Sequence, residues 1–73
     1  MDIESIEKVC THKRLQTMYM IDVEKETLEV FKKLGYEPSR TVKMAIDKAW
    51  VNSDRTDFLA EYILKVWRYD NES

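Results

Sequence analysis

Between Glu7 and Asp22 this 73-residue chain carries no acidic side chain, and Lys8, Lys13, Arg14 and the single histidine, His12, stand inside that window. The window carries +3, although the whole chain carries −2. A local cationic excess of this kind attracts phosphate; chance clustering of three cations in a highly charged chain is the plainer explanation of the same pattern. Cys10-Thr11-His12 sets a thiol and an imidazole two residues apart, which raises the question of zinc. The C-x-H spacing is not a standard ligand spacing and no further ligand accompanies it, so no metal is expected. A small apolar residue and a lone titratable ring account for the pair more simply. There is no glycine-rich phosphate loop, no Cys–His arrangement at a useful spacing and no carboxylate pair with a reason to titrate abnormally. The reading is therefore of a protein that is not an enzyme, with no catalytic residues and no cofactor.

The elements that must hold such a window are bounded by composition. Seventy-three residues make one domain, close to the lower limit for a chain stabilised by its own core. With 44% hydrophobic and 36% charged residues it resembles neither a disordered chain nor a membrane span. No apolar run approaches the ~18 residues a bilayer requires. The opening Met-Asp-Ile-Glu lacks the basic and then apolar pattern of a signal peptide. A cytoplasmic protein without a membrane partner is expected, and the lone Cys10 suits a reducing compartment. Two tryptophans, four tyrosines and two phenylalanines exceed what one small core should need, so a homodimer is expected.

Three helices are legible. Asp22 can cap a first, at about 23–34, in which Leu28, Phe31 and Leu34 recur at spacing three before Gly35 ends it. Pro38 blocks extension, and Ser39 can cap a second at about 40–51, striped by Val42, Ala45, Ile46, Ala49 and Trp50. Phe58, Leu59, Tyr62, Ile63, Val66 and Trp67 mark a third at about 54–69, followed by a frayed tail at 70–73. Upstream, residues 15–21 lack a helical stripe. As a strand they set Leu15, Thr17, Tyr19 and Ile21 on one face and Arg14, Gln16, Met18 and Met20 on the other. An isolated strand in a helical chain has only its own copy to pair with. Ile3, Ile6 and Val9 allow a helical turn or two at the start.

The order strand, helix ending in glycine, capped turn and helix resembles the ribbon-helix-helix superfamily (the Arc, MetJ and CopG class of repressors and related antitoxins). The likeness rests on residues 21–50, above all on Gly35-x-x-Pro38-Ser39-x-x-Val42-x-x-Ala45-Ile46. It implies a mainly α homodimer in which one short strand from each chain pairs into an antiparallel ribbon that enters the DNA major groove. It also implies base contacts from Arg14, Gln16 and Met18, and phosphate contacts from Lys13, Ser39 and Arg40 at the start of the second helix. The implied dimer core is Leu15, Tyr19, Ile21, Leu28, Phe31, Leu34, Val42, Ile46 and Trp50. Residues 1–12 would then be a partly flexible extension, 13–52 the ribbon-helix-helix domain and 53–69 an added helix packed on the dimer. The expected function is a sequence-specific, duplex-DNA-binding transcriptional regulator, of the small kind found in plasmids and archaeal viruses. The competing expectation is a protein-interaction module, antitoxin-like or a dimeric scaffold, whose C-terminal helix meets the partner.

Overall fold

The first backbone donors and acceptors to settle are those of the expected strand. In the computed structural model, which describes residues 1–72, they are satisfied inside the chain. Leu59 N–H donates to the Lys13 carbonyl (2.8 Å), Leu15 N–H to Asp57 O (3.0 Å) and Gln16 N–H to Arg55 O (2.8 Å). Arg14 and Phe58 form an isolated antiparallel bridge. After it the chain turns at once into a short 3-10 helix, Leu15–Thr17. Thr17 N–H and its hydroxyl both bond to Arg14 O, at 3.1 and 2.8 Å.

The ribbon-helix-helix expectation is thereby overturned: among the described residues the chain is helical, with no strand or sheet. The physical reason is backbone satisfaction. A loop 42 residues downstream offers carbonyls to the segment that has no partner near it in the sequence, so no second copy is required.

Four helices follow one another: α1 (Ile3–Val9), α2 (Met20–Lys33), α3 (Val42–Val51) and α4 (Leu59–Asn71). The possible N-terminal turns are a real helix. Asp2 Oδ1 accepts from Ser5 N–H (2.9 Å) to cap α1, whose Ile6 is fully buried. The helix α2 opens three residues before the expected start, so Asp22 lies in its first turn rather than at its cap. Its inward stripe is Val23, Thr27, Val30 and Phe31. The spacing-three set Leu28, Phe31 and Leu34 rotates by ~60° at each step and cannot stay on one face. Leu28 consequently falls outside the core.

Both α1 and α3 pack against α4, and α1 also touches α2. The added helix of the sequence reading is therefore the centre of the molecule: Leu59, Ala60, Tyr62, Ile63 and Val66 are all buried. It starts at Leu59 because Asp54 caps its own loop instead, accepting from Thr56 N–H and the Thr56 hydroxyl, both at 2.8 Å. Most of the aromatic load is absorbed within one chain, and Tyr19 stays exposed. Phe31 meets Tyr36 edge-on at 4.9 Å between ring centroids, Tyr36 meets Trp67 at 6.5 Å, and Trp50 meets Tyr62 at 6.2 Å. Buried Tyr62 donates its hydroxyl to Ile46 O (2.9 Å), and Thr27 Oγ1 donates to Val23 O (2.7 Å).

Gly35 closes α2 as the sequence implies. It has φ 75°, and its neighbour Tyr36 returns an N–H to Phe31 O (2.9 Å). A Cβ at Gly35 would meet nothing within 4 Å, so only the backbone conformation resists substitution. Replacing Gly35 by Ala should therefore cost about 1 kcal/mol, and by Asn less, in urea unfolding. An unchanged midpoint for Gly35→Ala would contradict the left-handed turn.

Candidate functional site

Three surfaces hold the residues with chemical potential. The first is the corner where the basic window meets the 52–58 loop. Arg14 lies over the Phe58 ring (4.1 Å to its centroid) and donates Nη1–H to Thr56 O (2.5 Å). His12 stacks on Phe58, with centroids 4.5 Å apart. Arg55, across the loop, lies 3.6 Å over Trp50 and donates to Trp50 O (3.1 Å). Lys13 and Gln16 are exposed beside them, and Met18 is half-buried against the core. The window that is free of acids in sequence is not free of them in space. Folding brings Asp54 and Asp57 of the 52–58 loop to it, and Thr56, through its N–H and hydroxyl, holds the Asp54 carboxyl below its ordinary range. Arg14 and Gln16 thus stand at this corner, Met18 packs on the core, and none of the three lines a ribbon.

The second surface is the turn before α3. Ser39, expected on phosphate, gives its donors to the chain's own Asp70: Oγ–H to Oδ1 (2.5 Å) and N–H to Oδ2 (2.9 Å). Tyr36 Oη–H donates to Oδ2 as well (2.5 Å). Ser39 Oγ also accepts from Thr41 N–H (3.2 Å), so the serine organises the turn and α3 begins only at Val42. Arg40 is exposed next to it. Asp70 belonged to the tail expected to fray; it is 6% exposed and part of α4, while Ser73 lies outside the described residues. Burial by itself would raise its pKa. The hydrogen bonds from Ser39 and Tyr36 outweigh burial and hold the carboxyl below the ordinary range. The Tyr36 phenol is pushed up to about 12, by burial first and then by Asp70. Sequence reasoning missed Asp70 for want of a local signal, although a lone carboxylate on the inner stripe of a helix could have prompted a search for its donors.

The third surface is the outer side of α2. Tyr19, Ile21 and Leu28 are 80%, 66% and 42% exposed, although all three were expected in a core. Of the other expected core residues, Leu15, Phe31 and Ile46 are buried within the chain, and Leu34, Val42 and Trp50 are half-buried against the core. Glu24 reaches across to an ion pair with Lys43, which also approaches Asp47 at 3.5 Å. Elsewhere, an open cleft of about 560 Å³ between α3 and the end of α4 is flanked by Met44 and Tyr69. Lys48 is held there over Tyr69 (4.4 Å) and near Glu72 (3.8 Å). Among the described residues no group of three or more His, Cys, Asp or Glu could hold a metal ion. Cys10 is half-buried, and its thiol is pushed up to about 11 by burial and then by Glu26 and Glu7, which disfavours the thiolate. No helix among the described residues is long and apolar enough to cross a membrane.

No family model matches the chain, no curated protein matches it, and no solved structure matches its fold.

The Asp70 knot yields a pH prediction. Because the folded pKa lies below the unfolded one, the stability it contributes is fully present above about pH 4 and is lost as pH falls through the folded value. Asp70→Asn should lose about 2–3 kcal/mol at neutral pH and should show a flatter stability curve below pH 4. Chemical unfolding at several pH values checks this; parallel curves for the two proteins would contradict it.

Proposed function

We propose that the chain acts by binding rather than by turnover, as a self-associating contact module that presents paired copies of its surface. The observation that carries this reading is the outer side of α2. A domain that buries its other large apolar side chains on this helix leaves Ile21 and Leu28 in water, with Tyr19 beside them. Exposed apolar residues grouped on one rigid element mark contact surfaces more often than scattered ones do. The buried stripe of the C-terminal helix, Leu59, Ala60, Tyr62, Ile63 and Val66, is used in the core, which favours α2 over that helix as the contact element. A cytoplasmic setting goes with the reading. Light scattering coupled to gel filtration should give twice the chain mass at high protein concentration; the mass of one chain throughout would contradict self-association.

A second reading is supported by the Arg14–Arg55 corner: contact with duplex DNA, as a regulator would make. Each guanidinium is fixed by an aromatic ring and one carbonyl, and both residues stay exposed. Without a ribbon such contact is to phosphates, so it positions a protein on DNA more than it reads sequence. The acidic neighbours Asp54 and Asp57 limit its strength. Fluorescence anisotropy on a labelled duplex at low salt should show binding that Arg14→Ala/Arg55→Ala weakens for all sequences alike. The slope of log affinity on log salt should fall by about two per chain. Absence of binding at low salt would remove this reading.

A further inference from the structure

The outer side of α2 has a charge order that says what can cover it. Ile21 and Leu28 lie about 20° apart around the helix axis, and Lys25 and Lys32 lie between and beside them. Asp22 and Glu29 lie together along one side of this strip, where they also line a cleft with Lys13 and Met18 of the same chain, and Lys32 and Lys33 close the helix. Asp22, Lys25, Glu29, Lys32 and Lys33 are all exposed. Two α2 helices laid side by side in the same direction would put Lys25 on Lys25 and Lys32 on Lys32. Laid antiparallel with full overlap, Met20 against Lys33, they put Asp22 of one copy beside Lys32 and Lys33 of the other. The same alignment puts Lys25 beside Glu29. The two Leu28 side chains then meet close to the two-fold axis, and the aliphatic stem of Lys32 covers Ile21. The surface is complementary to itself in one orientation only, as an isologous two-fold contact requires.

We infer that the outer face of α2 is a homodimer interface in which two copies pack antiparallel about an axis at the level of Glu26 and Thr27. This rests on the self-association proposed above and adds the surface and the register. The helix has 14 residues, so it is ~21 Å long and offers less than the ~800 Å² per partner of a standard stable interface. Association is therefore weak, in the micromolar to millimolar range, and falls as salt screens the ion pairs. The charges choose the orientation and Leu28 supplies the apolar centre. Glu24 is outside the contact, because Lys43 of its own chain holds it.

Sedimentation of the whole chain across that concentration range tests the inference. The wild type should dimerise, and Leu28→Glu should abolish the dimer. Lys25→Glu and Glu29→Lys should each weaken it by roughly fivefold. The double variant Lys25→Glu/Glu29→Lys should recover most of the lost affinity, because the same pairs re-form with reversed sign. Circular dichroism of each variant checks that the monomer stays folded, as exposed positions on α2 should allow. A dimer indifferent to Leu28→Glu and to the charge swap would overturn this interface while leaving self-association standing. A chain that stays monomeric at every concentration would overturn both.

Discussion

Three backbone hydrogen bonds, from Leu59 to Lys13, from Leu15 to Asp57 and from Gln16 to Arg55, decide the architecture. Extended backbone in a small helical protein has donors and acceptors that must be met somewhere. If a second chain meets them, the result is an intertwined dimer; if a loop of the same chain does, it is a self-contained domain. Here the 52–58 loop meets them, and Leu15 is drawn to 1% exposure in the core as a result. The same docking lets Phe58 receive Arg14 and His12, and sets the point where α4 begins. The position of α4 then determines what α1 and α3 pack against.

Asp70 is the second anchor and works at the other end of α4. A carboxylate at 6% exposure is costly to bury unless its oxygens are met by donors, and Ser39 and Tyr36 supply three. Two of these come from Ser39, the residue that follows Pro38. The corner containing the only glycine and the only proline of the chain is therefore more than a connection between helices. Gly35 turns the chain and Tyr36 packs on Phe31 and Trp67, while Ser39 fastens the turn to α4. The C-terminal helix is thus tied at its start to the basic window and near its end to the α2–α3 corner, with Tyr62 and Ile63 filling the interior between.

Helix order, the stop at Gly35 and the inner stripe of α3 were legible in the sequence because each depends on residues close in the chain. The features that were not legible depend on distant partners. Residues 14–20 alternate as a strand does, and nothing near them reveals a loop 42 positions away with free carbonyls. Asp70 reads as part of a polar tail until Ser39 and Tyr36 are placed beside it. Leu28 fits a stripe at spacing three, but Val23, Thr27, Val30 and Phe31 form the narrower arc that faces the core. The candidate site changed for the same reason. Arg14 and Gln16 were placed on a shared face by strand geometry, and the structure keeps them close to each other while adding Arg55 and two acids that sequence order hides. Among the surfaces left unused after folding is the outer side of α2, where Ile21 and Leu28 remain exposed, as Met44 and Val51 do on α3.

The central claim is that residues 13–17 are satisfied by their own chain, and isotope-filtered nuclear Overhauser spectroscopy tests it directly. In a sample mixing labelled and unlabelled chains, the contacts joining Lys13, Leu15 and Gln16 to Arg55, Asp57 and Leu59 should appear only within one chain. The same contacts appearing between labelled and unlabelled chains, or contacts of residues 14–17 with their own copy, would contradict it and return the segment to a dimeric ribbon.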